Sequence, residues 1–405
     1  MRDRVFYIWL QLALGICNRL TREIFERFEG IEEIYQCDDF SFLGEKRKKY
    51  IERLSDKETS YAFEILKRCE SVNASIIGYY DEIYPDSLRT IEAPPAAIYC
   101  IGELKKLDSI PCVGMVGTRK MSDYGKEVTE KFAYTFAKSG ACIISGLAKG
   151  IDTAAHRGAV MADGYTVAVL GNPIGDVYPK ENIKAFETLY KCGAVISEMY
   201  PACPRTKADF PNRNRIISGL SDAVIVTEAG EGSGALITAR HAINQGKPVF
   251  AVPGTIGSEN AGTNSLIKQG APIATEPYDV LAVLSLEYPE SLHPYEPSVT
   301  QSLRSYGMTI SETKTAKKRV EIEEKEPVKI ENAEKTDEPT DFADDAVKGS
   351  SSDKILSVLD TAKPISADEI SQRTGLPITE VLSELTLMEI CGDVNVSAGG
   401  RYTKF

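Results

Sequence analysis

Histidine, tryptophan and paired cysteines are scarce in this sequence of 405 residues. It has three histidines, one tryptophan and nine cysteines, and no two cysteines form a Cys-x-x-Cys pair. This composition argues against a zinc ribbon and against a disulfide scaffold. Unpaired cysteines are typical of a reducing compartment, so we expect a cytoplasmic protein without a metal site or a cofactor.

Long apolar runs are also missing. No stretch reaches the ~18 consecutive apolar residues of a membrane helix, so we expect no membrane contact. Residues 5–16 follow two arginines and mimic a signal peptide. Gln11 interrupts this stretch, however, and the helical spacing continues beyond it, which favours a helix of the folded protein.

Charge is distributed unevenly along the chain. The formal net charge is −12, which argues against a histone-like coat on nucleic acid. Residues 111–285 carry 17 basic and 16 acidic side chains and are the least acidic part, so a polyanion would bind there if the cations cluster. In residues 311–350, 20 of 40 side chains are charged, which predicts disorder.

Changes in residue pattern divide the chain into four predicted parts. They are a helical domain (1–72), an α/β core (73–285), an acidic disordered linker (286–350) and a winged helix (351–405). In the first part, short helical patterns separated by glycine are similar to SAM and helix-hairpin-helix domains. In the last part, three helical patterns precede a hairpin, which predicts the winged helix.

The predicted core alternates short apolar runs with longer helical patterns. The runs are rich in valine, isoleucine and alanine, as in strands buried on both faces, and they cover residues 112–116, 141–145, 166–170, 194–197, 223–227 and 249–252. This alternation predicts a Rossmann-like, doubly wound, mostly parallel sheet. Ligands bind beyond the carboxyl ends of such strands, so the loops that follow the runs are candidate sites.

Two of these loops combine glycine with charged side chains. Gly117-Thr118-Arg119 places a cation directly after a strand, where it would point into the crevice. Three glycines at 230, 232 and 234 open a helix and can form an anion nest. Glu228 and Glu231 beside that nest would repel a phosphate unless they orient an arginine. Glu198 ends another strand, and paired carboxylates could do acid–base work.

A third loop surrounds one aromatic residue with cations. Arg205, Lys207, Arg213 and Arg215 lie within five residues of Phe210. Cations bind phosphates and an unstacked base can lie on the phenyl ring, although a solvated loop is the simpler alternative. In a helix, Arg213 and Arg215 point about 200° apart, so only one of them would face the same ligand.

A fourth loop, residues 145–152, leads into a helix of small residues. Asp152 and His156 stand four residues apart on one face of that helix. They could form a catalytic or metal pair, but hydrogen bonds to each other or to the loop backbone are the simpler interpretation.

Taken in order, these loops resemble the DNA-processing protein A family (DprA, also called Smf). The motifs that carry the resemblance are Gly117-Thr118-Arg119, Ser145-Gly146-Leu147-Ala148-Lys149-Gly150-Ile151-Asp152, Phe210-Pro211-Asn212-Arg213-Asn214-Arg215, Gly232-Ser233-Gly234-Ala235-Leu236, Pro248-Val249-Phe250-Ala251-Val252-Pro253-Gly254 and Gly262-Thr263-Asn264-Ser265-Leu266-Ile267.

The resemblance implies a cytoplasmic, non-enzymatic homodimer that binds single-stranded DNA. Such proteins protect incoming strands during natural transformation and help to load the RecA recombinase. The implied strand-binding residues are Arg119, Lys207, Phe210, Arg213, Arg215, Gly232, Ser233 and Lys247. The implied dimer contact contains Asn264, Leu266, Ile267 and Ala271.

Two features depart from a nucleic-acid-binding pattern. Glu231 precedes the Gly-Ser turn, where a negative charge should weaken a phosphate contact. The third helical pattern of the winged helix, residues 377–390, has Glu380, Glu384 and Glu389 but no lysine or arginine. A groove-reading helix needs cations, so we expect this domain to contact protein or to regulate.

Two other functions compete with strand binding. The strand–Glu228–glycine arrangement is similar to that of lysine-decarboxylase-like phosphoribohydrolases, which cleave nucleoside monophosphates. Their P-G-G-x-G-T-x-x-E motif lacks its proline and its final glutamate in residues 229–237 here. A nucleotide-sensing module that binds NAD or ATP is the third interpretation.

Overall fold

In the computed structural model the chain divides into two compact units, Met1–Thr309 and Ile310–Phe405. The described residues are 2–177, 183–206, 208–257, 259–293, 295, 351–360, 364–378, 381–382, 384–385, 388, 394–397 and 401–404. Lys207 and residues 296–350, which include most of the predicted linker, lie outside them.

The first unit is built on one eight-stranded sheet. Its strands are β1 (Ser75–Gly78), β2 (Ala97–Gly102), β3 (Cys112–Val116), β4 (Cys142–Ser145), β5 (Thr166–Leu170), β6 (Ala194–Ser197), β7 (Ala223–Val226) and β8 (Val249–Ala251). Their order in the sheet is β1-β2-β6-β5-β4-β3-β7-β8. Strands β3 to β8 pair in parallel, whereas β1–β2 and β2–β6 pair antiparallel.

Helices cover both faces of this sheet. They are α1 (Arg2–Leu14), α2 (Leu20–Phe25), α3 (Ile31–Gln36), α4 (Lys48–Ser55), α5 (Ser60–Ser71), α6 (Asp86–Arg89), α7 (Asp123–Lys138), α8 (Ile151–Met161), α9 (Ile183–Cys192), α10 (Asp209–Leu220), α11 (Gly234–Asn244), α12 (Ala261–Lys268) and α13 (Pro277–Glu287). On one face, Val113 and Met115 pack with α7 and α8. On the other, Val116 and Val226 pack with α10 and α11.

The predicted doubly wound, mostly parallel sheet is confirmed. Every residue of strands β3 to β8 is buried, which explains why their sequences lack the alternation of half-exposed strands. Strands β1 and β2 had not been predicted. They extend the sheet beyond β6 through antiparallel pairing, a long-range contact that leaves little local pattern in the sequence.

The strand order reverses between β3 and β7. From β3 the chain proceeds outward through β4, β5 and β6, and it then returns to place β7 and β8 on the other side of β3. At such a switch point the loops after the two central strands diverge and leave a crevice at their carboxyl ends. Gly117 follows β3 and Thr227 follows β7, so two of the predicted glycine loops meet there.

The N-terminal helices share a hydrophobic core with the sheet. Helix α1 is buried on nearly all sides, and its Tyr7, Ile8 and Leu10 lie in one cluster with strand residues Ala168 and Val195. Residues 5–14 thus belong to a helix of the fold. The predicted boundary between residues 72 and 73 falls inside the first compact unit. No helix among the described residues is long and apolar enough to cross a membrane.

The folded unit also continues past residue 285, where the linker was predicted to begin. Helix α13 ends at Glu287, and Leu292 is buried against the sheet core. The acidic stretch 311–350 lies outside the described residues.

The second unit has the elements predicted for a winged helix. They are α14 (Ser351–Val358), β9 (Ile365–Ser366), α15 (Ala367–Thr374), β10 (Val394–Ser397) and β11 (Arg401–Lys404), with strand order β10-β11-β9. Ser366 and Glu369 form a capping box at the start of α15, and Gly375 ends it in a left-handed conformation. Described residues between 378 and 388 are helical, while Glu380 and Glu389 lie outside the description.

A buried ion pair ties helix α10 to the end of strand β6. Arg215 Nη2 lies 2.7 Å from Glu198 Oε1, and the two side chains are only 6% and 8% exposed. The backbone amide of Cys17 donates to the same carboxylate oxygen at 3.2 Å. Gln11 of α1 donates to the backbone carbonyl of Glu198. One residue therefore connects the sheet, α10 and the N-terminal helices.

Replacing Glu198 by glutamine should destabilise the fold strongly. The change leaves the Arg215 guanidinium buried without its counter-charge, which typically costs about 3–5 kcal/mol. Glu26→Gln is the matched control, because it removes the exposed Arg22–Glu26 pair, a pair of the kind worth about 0.3–0.5 kcal/mol. Chemical denaturation measures both, and equal losses would contradict the role given to Glu198.

Candidate functional site

A pocket of about 310 Å³ opens at the switch point of the sheet. It lies beyond the carboxyl ends of β3 and β7, between the loops that follow them and the first turns of α10 and α11. Its charged and polar lining residues are Arg119, Asp152, Arg213, Asn214, Ser233 and Thr238, and its apolar lining includes Val116, Ala148, Phe210, Ile217 and Ile237. All four predicted loops thus contribute to one cavity.

Arg119 and Phe210 form the mouth of this pocket. Arg119 is exposed, and its Cζ lies 5.5 Å from the centroid of the Phe210 ring. The ring rests on the backbone after β5, where a Cβ at Gly171 would lie 2.9 Å from Phe210 Cδ1. Gly150 has φ +91° and lets the loop of residues 145–152 approach the backbone of Arg119. A cation and an aromatic face therefore meet at the carboxyl edge of the sheet.

Arg213 lies deeper, on the floor of the pocket. Its Nη1 donates to the carbonyl oxygens of Gly146, at 2.8 Å, and of Val169. Its Nε donates to Asn214 Oδ1 at 3.2 Å. Burial lowers the pKa of Arg213 from its usual value, while the nearby Asp152 carboxylate opposes that shift. Because its Nη1 and Nε atoms are both hydrogen-bonded, the Arg213 guanidinium places a fixed positive charge beneath the mouth of the pocket.

Asp152 and His156 do not form a pair. Burial raises the pKa of Asp152, although Arg213 and the backbone amides of Ala148 and Gly146 stabilise its charged form. His156 Nδ1 lies 2.8 Å from Thr166 Oγ1, which itself donates to the Ile143 carbonyl, so Nδ1 carries the proton. Burial lowers the pKa of His156 to about 3, so the ring is neutral at physiological pH. Of the two simple interpretations, hydrogen bonding of Asp152 to the loop backbone is the one observed.

The first turn of α11 supplies backbone donors to the pocket. Ser233 is the N-cap of this helix, and its Oγ accepts a hydrogen bond from the amide of Ala235. Gly232 precedes it with φ +77°, a left-handed conformation that favours glycine. Free amides and the helix dipole make such a turn attractive to anions. Glu231, next in the loop, is exposed and does not line the cavity.

Glu228 stabilises helix α7 and does not line the pocket. Its carboxylate accepts hydrogen bonds from the amide and the hydroxyl of Ser122, the N-cap of α7, with both bonds to Oε2 at 3.0 Å. The side chain is 1% exposed. Acid–base chemistry needs access to a ligand, which this carboxylate lacks.

Two predicted strand-binding residues lie elsewhere. Arg215 points away from the pocket toward Glu198, because it is two residues from Arg213 on the same helix. Lys247 precedes β8 and so lies at the opposite, amino edge of the sheet, where its Nζ donates to the carbonyls of Gly219 and Ser221. Lys247, which the resemblance implied for strand binding, therefore does not lie on the same edge of the sheet as Arg119.

Lys207 lies outside the described residues, but its neighbours are placed. Asp209 accepts hydrogen bonds from the amide and hydroxyl of Thr206, and this turn leads into α10 just before Phe210. Arg205, one residue earlier, is exposed.

The predicted dimer residues lie on α12 and just after it. Asn264 is engaged within the chain, since its side chain bonds both the amide and the carbonyl of Gly254. Leu266 is buried, whereas Ile267 and Ala271 are half-buried.

Sequence reasoning had not assigned Asp152 or Asn214 to the pocket, nor the glycines that make room for its side chains. Gly146 seats Arg213 and Gly171 seats Phe210. The available signal was the placement of these glycines directly after strands β4 and β5.

A switch-point pocket that combines two arginines, an aromatic face and a helix N-terminus is typical of Rossmann-like proteins that bind phosphate-bearing ligands. The family profile described as DNA recombination-mediator protein A matches residues 75–285, and that of the DprA winged helix domain matches residues 338–400. The chain belongs to the DNA recombination-mediator protein A (DprA/Smf) family, as the motifs predicted.

Similar proteins cover most of the chain. Protein Smf of Synechocystis is 32% identical over 404 residues, which are 98% of this chain and 97% of that protein. The DNA processing protein DprA of Streptococcus pneumoniae is 35% identical over 271 residues, 66% of this chain and 94% of that protein. An X-ray structure of the S. pneumoniae DprA matches with a TM-score of 0.57 and 32% identity, over 69% of this chain and 97% of that one.

Replacing Gly146 by alanine should destabilise the pocket. A Cβ at this position would overlap the Nη1 atom of Arg213, whose backbone bonds leave it no room to move. Such overpacking costs about 1–3 kcal/mol. Gly257→Ala is the matched control, because no atom of the described residues lies within 4 Å of its Cβ position. Thermal unfolding compares the two variants, and an unchanged melting temperature for Gly146→Ala would contradict the packing described.

Proposed function

We propose that this protein binds single-stranded DNA at the switch-point pocket. The observation that carries the proposal is the pairing of Arg119 with Phe210 at the pocket mouth, 5.5 Å from guanidinium carbon to ring centroid. A single strand offers both groups that this pair recognises, a phosphate for the cation and an unstacked base for the ring. A duplex offers the phosphate alone.

The rest of the pocket fits the same ligand. A phosphate beside Arg119 also meets the N-terminus of α11, where Gly232 and Ser233 supply backbone donors. Arg213 adds positive charge from below, and Asp152 offsets part of it. Lys207 belongs to the proposed pocket through its place in the sequence, three residues before Phe210. The proposed strand site therefore contains Arg119, Lys207, Phe210, Arg213, Gly232 and Ser233.

The cellular role we propose is DNA processing during natural transformation, in the cytoplasm. The names of the matched relatives, DNA processing protein DprA among them, support it. In this role the protein would protect incoming single strands and help to load the RecA recombinase. It would act as a homodimer whose contact surrounds Ile267 and Ala271, with Asn264 and Leu266 shaping that surface from within. The winged helix would contact protein or regulate.

We propose further that the protein is not an enzyme. Glu228, the glutamate of the arrangement that is similar to the phosphoribohydrolases, is occupied at the N-terminus of α7. Incubation of the purified protein with AMP should release no adenine when followed by chromatography. Release of free base at a rate that scales with protein concentration would revive the enzymatic alternative.

Replacing Arg119 by alanine should weaken binding to all oligonucleotide sequences alike. A phosphate contact contributes about 0.7 to the slope of log affinity against log salt concentration for a single strand, so the slope should become shallower by about that amount. Fluorescence anisotropy over a salt series measures both quantities. Arg157→Ala, which removes an exposed arginine paired with Glu130 on the surface, is the control. Equal affinities for the Arg119→Ala variant and the control would contradict the proposal that the strand binds at this pocket.

A further inference from the structure

An exposed tyrosine on helix α5 lies near the carboxyl edge of the sheet. Tyr61 of α5 is 43% exposed. Its ring makes an edge contact with Tyr200, with centroids 6.4 Å apart. Tyr200 stands three residues beyond the end of β6, so Tyr61 lies at the carboxyl end of that strand.

This position adjoins the proposed strand site. Phe210 rests on Gly171, which directly follows β5, and β5 and β6 are neighbours with Leu170 opposite Ser197. Neighbouring strands are about 4.8 Å apart, so Gly171 beneath Phe210 and Tyr200 beside Tyr61 follow adjacent strand ends. Helix α5 packs with Leu170 and helix α10 packs with Val169, so the two rings approach this edge from opposite faces of the sheet. Arg205 lies between Tyr200 and Phe210 in the sequence, and its side chain is exposed.

Each of the two rings carries a guanidinium at the same distance. Arg68 Cζ lies 5.5 Å from the Tyr61 centroid, as Arg119 Cζ does from the Phe210 centroid. Arg68 is seven residues, about two turns, from Tyr61 on α5, and Glu64 between them lies 3.5 Å from its Nη2. Phe63 on the same helix is 50% exposed, but no cation lies against its ring among the described residues.

We propose that Tyr61 and Arg68 form a second stacking subsite for single-stranded DNA. A strand bound at Phe210 would continue past Arg205 and place a later base on the Tyr61 ring, with Arg68 beside a phosphate. Alternating rings and cations along a path are the usual means of binding a single strand without sequence preference. This inference rests on the proposed function, because the strand must first occupy the pocket.

The experiment uses the full-length protein and oligothymidines of two lengths. One of about 4 nucleotides fills the pocket alone, and one of about 12 nucleotides reaches both rings. Anisotropy titrations compare the wild type with Tyr61→Ala, Tyr61→Phe, Phe63→Ala and Phe210→Ala. Tyr61→Phe keeps the stacking face, and Phe63→Ala removes an equally exposed ring from another side of the helix. Thermal unfolding of each variant checks the fold.

The subsite predicts a length-dependent loss. Tyr61→Ala should bind the longer oligonucleotide roughly 5-fold or more weakly, the lower end of base–aromatic stacking, and should bind the shorter one like the wild type. Tyr61→Phe and Phe63→Ala should retain affinity for both. Wild-type affinity of Tyr61→Ala for the longer strand, or equal losses on both lengths, would overturn the subsite.

Phe210→Ala separates this inference from the proposed function. Phe210→Ala should weaken the binding of both oligonucleotides. If it does so and Tyr61→Ala weakens the binding of neither, the pocket is supported and the second subsite is overturned. If Phe210→Ala changes neither while Tyr61→Ala weakens the longer strand, the strand binds at α5 and the pocket assignment fails.

Discussion

The buried ion pair between Glu198 and Arg215 fixes the rotation of helix α10, and the character of the pocket depends on that rotation. Residues two apart on a helix point about 200° apart. With Arg215 held against Glu198, Arg213 must face the switch point, and Phe210 one turn earlier reaches the mouth. The same glutamate also receives the amide of Cys17 and the side chain of Gln11. A contact outside the pocket thus sets the orientation of its charged floor and links it to the N-terminal helices.

Most buried polar groups near the pocket stabilise loops and helix ends. Glu228 caps α7 through Ser122, Asp152 accepts amides of its own loop, and His156 bonds Thr166. These bonds hold the loops after the strands in place, because an unpaired buried polar group would destabilise the fold. Among the described residues, a small set of cations, an aromatic ring and the amides of a helix N-terminus face the pocket, which suits the proposed binding of a single strand.

The charged side chains at the two edges of the sheet have different roles. At the amino edge, Lys247 bonds the carbonyls that end α10, and Asp222 holds the amide of Cys112, so the charges there stabilise the fold. At the carboxyl edge, Arg119 lies against the half-buried ring of Phe210, and Arg68 lies against the exposed ring of Tyr61. A net acidic protein can present such an edge to a polyanion because screening in salt limits each charge to its near surroundings.

Apolar runs without alternation determined the six parallel strands from sequence alone, since strands buried on both faces have that pattern wherever they occur. The glycine- and arginine-containing motifs determined the family, and helix geometry already allowed only one of Arg213 and Arg215 to face the ligand. Which of them does so was decided by Glu198, seventeen residues away in sequence. Strands β1 and β2 likewise became visible only through pairing with β6. The place of Lys247 at the far edge was readable from the sequence, because a residue that precedes a parallel strand lies at the amino end of that strand. Local patterns specify elements, whereas the partner of a buried charge depends on how distant elements pack.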